Sequence, residues 1–186
     1  SYGANVKLLG VIPTPAVAYL TKKLNADAGV VISASHNTFE FNGIKFFSNK
    51  GMKISDEIEE EIEEIIDSGR IEELTAENDK IGVSKMHAEY IYEYAGFIRD
   101  LFKNMKAPDD FVVGIDAANG ATYEVAKYIF EELGINYRLI NNFPNGININ
   151  KGCGSTHLEG LKKFVIDNNL SLGIAYDGDG DRCLAV

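Results

Sequence analysis

Asp177, Asp179 and Asp181 alternate with Gly178 and Gly180, and Arg182 follows them. The run comes directly after Leu172-Gly173-Ile174-Ala175-Tyr176, an apolar stretch that reads as a buried strand. Glycine has no Cβ and permits the tight backbone that turns alternate side chains toward one point. Convergence of this kind is unfavourable by itself. At ~4 Å and an effective dielectric constant of ~20, each carboxylate pair costs about 4 kcal/mol. A cation between them removes that cost, and hard oxygen ligands suit Mg²⁺ or Ca²⁺. The competing reading is a solvated turn with its three side chains in water. The third aspartate, the arginine and the strand before them weigh against it. An EF-hand loop is rejected, because its sixth position needs Gly and is Arg182 here.

A second informative segment runs from Ser33 to Lys45. It follows Gly29-Val30-Val31-Ile32, a short β-branched run typical of a buried strand. A strand that ends in small and polar residues and then Asn42-Gly43 opens a loop where ligands sit in α/β folds. Ser35 beside His36 suggests a hydroxyl nucleophile with a proton acceptor next to it. Neighbouring residues rarely aim both side chains at one target, and no Gly-x-Ser-x-Gly elbow is present, so a protease-like pair is not expected. The plain alternative is that Ser33, Ser35 and Asn37 satisfy backbone groups of the loop.

Together the two segments resemble the α-D-phosphohexomutase superfamily. Its phosphoserine loop has the form Ser-His-Asn-Pro followed by Asn-Gly-x-Lys, matched by Ser35-His36-Asn37 and Asn42-Gly43-Ile44-Lys45. Its metal loop, Asp-Gly-Asp-x-Asp-Arg, is matched by Asp177 to Arg182. Asn148-Ile149-Asn150, Cys153-Gly154-Ser155-Thr156-His157 and Gly10-Val11-Ile12-Pro13-Thr14-Pro15-Ala16 look like the branch that acts on glucosamine phosphates. Thr38 stands where the family usually has Pro, and loss of that fixed φ loosens the loop.

The resemblance implies an active-site phosphoserine at Ser35. It implies Mg²⁺ held by Asp177, Asp179, Asp181 and a phosphoserine oxygen. Lys45 and Arg182 become candidates for charge stabilisation, Arg182 through bidentate contact. Either His36 or Lys45 handles the sugar hydroxyl proton. The implied reaction interconverts glucosamine 6-phosphate and glucosamine 1-phosphate through a sugar bisphosphate, with a phosphorylated amino sugar as the binding partner. The alternatives are a mutase for glucose or mannose phosphates, or a fragment that binds metal and catalyses nothing. The implied whole enzyme has four domains and is expected to be a homodimer. This chain would hold most of the first domain, residues 1–82, and nearly all of the second, residues 83–186, and alone would be inactive.

The pattern along the chain agrees with an α/β fold of two consecutive layered domains with mixed sheets. Strands alternate with helices throughout. Thr14 reads as a helix cap with Pro15 at the first position. Ile44 to Ser48 reads as a strand. Ser55 and Gly69 bracket an acidic helix whose Ile58, Ile62, Ile65 and Ile66 form one apolar stripe. Residues 70–83 are polar and suit a boundary. A helix follows with Tyr90, Tyr94, Phe97, Ile98 and Leu101 on one face, which reads as packing. Beyond it come a strand from Phe111 to Ile115, a helix to Leu133 closed by Gly134, a strand from Ile135 to Ile140, and a helix with Leu161, Phe164 and Val165. Asp116-Ala117-Ala118-Asn119-Gly120 reads as a plain βα turn in preference to a phosphate site at a helix N-terminus. His87 and His157 are given structural roles.

Composition narrows the classes. The 186 residues are 45% hydrophobic, enough for a core, and carry a formal net charge of −10, which argues against a nucleic-acid partner. There is no 18-residue apolar run, so no membrane span is expected. No signal peptide is visible. Cys153 and Cys183 have no metal-site spacing, and so few cysteines fit a reducing cytoplasm.

Overall fold

The computed structural model describes residues 2–186, and in it the two loops lie at the ends of strands, as the apolar runs before them require. Strand β1 (Val6–Leu8) leads to helix α1 (Thr14–Lys23) and then to β2 (Ala28–Ile32). Strand β3 (Ile44–Ser48) pairs antiparallel with β2, with Val31 opposite Lys45 and Ile32 opposite Ile44. This register makes residues 33–43 a loop closed at its base, and it sets Lys45 beside the mouth of that loop. Helix α2 (Asp56–Asp67), two short 3₁₀ turns and β4 (Ser84–Met86) follow. Strand β4 returns to pair in parallel with β1, Val6 opposite Ser84.

Helix α3 (Tyr90–Phe102) precedes a four-stranded sheet of order β6-β5-β7-β8. Its strands are β5 (Val112–Asp116), β6 (Asn136–Ile140), β7 (Leu172–Tyr176) and β8 (Cys183–Ala185). The first three are parallel and β8 runs antiparallel to β7. Helix α4 (Thr122–Leu133) joins β5 to β6, and α5 (Glu159–Asp167) precedes β7. Parallel strands joined through helices bring their C-terminal ends to one edge, where α/β folds hold ligands. The turn after β5 and the aspartate loop after β7 both sit there.

Two cores hold these parts. Val113, Ile115, Ala126, Phe130 and Ile135 are buried between the larger sheet and α4. Ile12, Ala16, Val17 and Leu20 of the first unit are buried together with Ile91 of α3 and Val125 of α4. Leu20 is 1% exposed, and burying such a side chain stabilises by about 1.5–3 kcal/mol. Tyr19 stacks on Phe97 with ring centroids 4.2 Å apart. This shared core fixes the serine loop against the aspartate loop.

Several local expectations change. Helix α1 is capped by Pro13, and the Thr14 hydroxyl bonds elsewhere. Ser55 does precede α2 in extended conformation, but its side chain makes no cap hydrogen bond. No residue of α2 is fully buried: Ile62 and Ile65 are partly covered, while Ile58 and Ile66 of the apolar stripe are exposed. On α3 the buried line is Ile91 and Ala95; Tyr90 and Tyr94 pack beside it, and Leu101 is exposed. No helix among the described residues is long and apolar enough to cross a membrane.

Candidate active site

Ser35 stands in the loop after β2 with φ 58°, a left-handed conformation uncommon for a residue with a side chain. Its N–H donates to Ser33 Oγ at 2.9 Å. Its own Oγ donates to Asp177 Oδ2 at 3.0 Å and lies 3.3 Å from Asp179 Oδ1. The two loops, 142 residues apart in sequence at this contact, therefore meet hydroxyl to carboxylate.

Asp177 and Asp179 are 0% and 2% exposed. Together with Asp181, each offers one oxygen such that all three lie within 4.8 Å of one another. The backbone allows this because Gly178 passes close to its neighbours. A Cβ there would lie 2.5 Å from Asn150 Nδ2 and 2.6 Å from Ser35 O. The loop rests on the turn after β5, where the Ala121 N–H donates to Gly178 O at 2.7 Å. A Cβ on Gly120 would lie 2.3 Å from that same carbonyl oxygen, so the seat is close-fitting. The turn itself is held by Asp116, whose two oxygens accept from the N–H groups of Ala118 and Gly154, each at 2.9 Å. Both carboxylate oxygens are thus occupied by backbone, which agrees with a structural turn.

Lys45 reaches the cluster from β3. Its Nζ donates to Asp179 Oδ2 at 2.5 Å and lies 3.7 Å from Asp181 Oδ2. The Arg182 N–H donates to Asp177 Oδ1 at 3.2 Å, while its Nε stands 3.8 Å from Asp177 and from Asp181. Those Nε distances exceed hydrogen-bond range, so the guanidinium makes no bidentate pair with these carboxylates. His36 stays apart. It makes no hydrogen bond to Ser35 Oγ, Lys45 or the aspartates among the described residues, and its Nδ1 is buried without a partner.

Two further residues belong to the site. The Thr14 hydroxyl donates to Asp179 Oδ2 at 2.8 Å, and its N–H donates to Asp179 O at 2.9 Å. Asn150, 2% exposed, donates from Nδ2 to the carbonyls of Ser35 at 3.0 Å and Asn37 at 2.8 Å. Each had a sequence signal, Thr14 in Pro-Thr-Pro and Asn150 in Asn-Ile-Asn. Their partners are more than a hundred residues away and could not be read from either.

The electrostatics separate the carboxylates. Burial pushes Asp179 up, but the Lys45 ammonium and the Thr14 hydroxyl outweigh it and hold the carboxyl below its ordinary value. Asp181 is raised by burial and by the charges of Asp179 and Asp177. Burial, with the Asp116 charge, pushes the Cys153 thiol up to about 11, which leaves it inert. Three carboxylates against Lys45 and Arg182 leave one negative charge unmatched, and a phosphate on Ser35 would add about −1.5 to −2. An all-oxygen donor set with that surplus fits a hard divalent cation such as Mg²⁺.

Comparison with known proteins agrees with this geometry. The family described as "Phosphoglucomutase/phosphomannomutase, alpha/beta/alpha domain I" matches residues 1–73, and the corresponding domain II matches residues 87–186. A phosphoglucosamine mutase of Acetivibrio thermocellus is 54% identical over the whole chain, which covers 41% of that relative. One from Clostridium botulinum is 49% identical with the same coverage. The chain thus spans about two fifths of the length of the curated relatives it matches. A crystal structure of a phosphoglucomutase/phosphomannomutase family protein from Burkholderia thailandensis shares the fold, with TM-score 0.74 at 23% identity. That match covers 100% of this chain and 40% of the other. The chain belongs to the phosphoglucomutase/phosphomannomutase family, the α-D-phosphohexomutases.

Proposed function

We propose that this chain carries the phosphoryl-transferring part of a phosphoglucosamine mutase, which interconverts glucosamine 6-phosphate and glucosamine 1-phosphate. The observation that carries the reading is the Ser35 hydroxyl bonded to Asp177 beside Asp179, with Lys45 on the same carboxylate cluster. Curated phosphoglucosamine mutases at 44–54% identity along the whole chain support the choice of sugar.

Ser35 is held as phosphoserine. The phosphorus–Oγ bond breaks as a bond to a sugar hydroxyl oxygen forms, and the hydroxyl proton passes to a base. The sugar, now a bisphosphate, reorients and returns its other phosphoryl group to Ser35. Asp177, Asp179, Asp181 and a phosphoserine oxygen would hold Mg²⁺, which would supply Lewis-acid polarisation of the transferring group. Transfers of this kind need positioning and charge neutralisation above all. The Thr14 hydroxyl and Lys45 keep Asp179 ionised, and Arg182 stands at the rim with its side chain half exposed, ready for a phosphate. Of the two proton carriers, Lys45 is the one in contact with the cluster, and His36 is not.

The domain division near residue 82, a cytoplasmic location and a homodimeric whole protein belong to the same proposal. The family matches support the division, since they end at 73 and resume at 87. The test is a coupled assay of the full-length protein with glucosamine, glucose and mannose 6-phosphates and a sugar bisphosphate activator. The highest kcat/KM is expected for glucosamine 6-phosphate. Greater turnover of glucose or mannose phosphate would overturn the choice of sugar, and no turnover of any would overturn the mutase reading.

A further inference from the structure

Ser35 is pinned from both sides of its peptide. Its N–H is held by Ser33 Oγ, and its carbonyl is held by Asn150 Nδ2. The second hydrogen of the same amide takes the Asn37 carbonyl. A side-chain-bearing residue at φ 58° persists only where its surroundings over-determine it. Asn150 is itself anchored. Its N–H donates to Ala118 O at 2.9 Å, in the turn after β5 that also seats the aspartate loop through Ala121. The segment before it is braced by Asn148, whose side chain bonds the Asn145 N–H and the Phe143 carbonyl. One turn therefore carries both the aspartates and, through Asn150, the serine that faces them.

The amide is used one-sidedly. Both donors of Asn150 are engaged, while its Oδ1 is buried without a partner. An unsatisfied buried acceptor costs stability, and such a group in a native site calls for a reason. From this geometry we infer that Asn150 is a positioning residue for phosphoryl transfer: its two amide hydrogens hold Ser35 in the left-handed conformation that sets Oγ over Asp177 and Asp179. The loop has Thr38 where a proline would fix φ, so this clasp supplies rigidity that the loop sequence lacks. The inference rests on Ser35 as the phosphoryl carrier.

Asn150→Asp tests it in the full-length protein. The shape is retained, but an acceptor now faces two carbonyl oxygens. With misplacement of the nucleophile, kcat should fall about 100-fold. KM for glucosamine 6-phosphate should stay within about threefold, because the sugar's own contacts are untouched. Hydrogen exchange at the Ser35 and Asn37 amides should quicken, and that at Asn150 should not. Wild type and Ser35→Ala are assayed alongside. An active Ser35→Ala would sink the phosphoryl-carrier reading, and the inference with it. A dead Ser35→Ala together with Asn150→Asp at wild-type kcat would sink the inference alone. So would an Asn150→Asp whose kcat falls while loop exchange is unchanged. If Asn150→Asp does not fold, Asn150→Ala, which removes both donors without adding a charge, is measured in the same way: a fall in kcat with quicker loop exchange supports the clasp, and wild-type kcat or unchanged exchange overturns it.

Discussion

Replacing Thr14 with valine removes one hydroxyl and nearly keeps the side-chain shape. That hydroxyl is 2.8 Å from a carboxylate oxygen of Asp179, and both residues are buried. A hydrogen bond to a charged acceptor in such a place contributes about 1.5–3 kcal/mol. Asp179 keeps its contacts with Lys45 and Ser35, so a loss of about 2 kcal/mol is expected for Thr14→Val, in the middle of that range. At roughly 2–4 °C per kcal/mol for a protein of this size, Tm should fall by about 4–8 °C at neutral pH. The dependence on pH follows from the depressed carboxyl of Asp179. A group whose folded pKa lies below its unfolded value stabilises fully above the unfolded value and loses that contribution as pH falls through the folded one. The deficit of Thr14→Val should therefore shrink on acidification through the carboxylate range. Thr21→Val is the control. Its hydroxyl donates to the neutral Val17 carbonyl at 2.8 Å, so its cost should not depend on pH; about 1 kcal/mol is expected. Thermal melts of the three proteins from neutral to acid pH supply the data. A Thr14→Val protein that melts with wild type at neutral pH, or whose deficit persists unchanged in acid, would refute the account of Asp179.

Three further outcomes are expected. Calorimetric titration of Mg²⁺ should give heat with wild type and none with Asp179→Ala; equal heats would count against the cluster as a cation site. Gly178→Ala would place a methyl group 2.5 Å from Asn150 Nδ2 and 2.6 Å from Ser35 O, so it should cost about 1–3 kcal/mol in urea unfolding and weaken Mg²⁺ binding. The 186-residue chain alone should show no mutase turnover, because it spans 41% of its relatives and substrate positioning supplies about 7–11 kcal/mol of barrier reduction; turnover near the full-length rate would contradict this.

Local signals in the sequence correspond to elements of the fold. The apolar run Leu172 to Tyr176 is β7 residue for residue, and Gly134 ends α4 in the left-handed conformation. Both follow from forces acting within a few residues. The convergence of Asp177, Asp179 and Asp181 is legible for the same reason, since alternate aspartates and glycines are a local pattern. What escaped was long-range. Thr14 has the chemistry of a helix cap, and only the folded chain brings Asp179, 165 residues away, within reach of its hydroxyl. Asn150 stands in a recognisable motif, but its contact with the Ser35 carbonyl spans 115 residues. The pairing of β1 with β4 is also long-range, Val6 opposite Ser84. Periodicity tells which face of α2 is apolar and is silent on what covers it: of the stripe Ile58, Ile62, Ile65 and Ile66, the second and third are partly covered and the other two lie exposed. Arg182 and His36 adjoin motif residues, yet adjacency does not decide where a side chain ends. The arginine reaches the cluster only at 3.8 Å, and the histidine makes no hydrogen bond to it.

The proposed reaction depends above all on Ser35 carrying the phosphoryl group. Peptide mapping by mass spectrometry tests it most directly, on full-length protein treated with Mg²⁺ and glucosamine 1,6-bisphosphate. A single phosphoryl group is expected on Ser35, passed to glucosamine 6-phosphate and restored within each turnover, and absent from Ser35→Ala. A phosphate found on Ser33, or an active enzyme that never carries phosphate on Ser35, would contradict it.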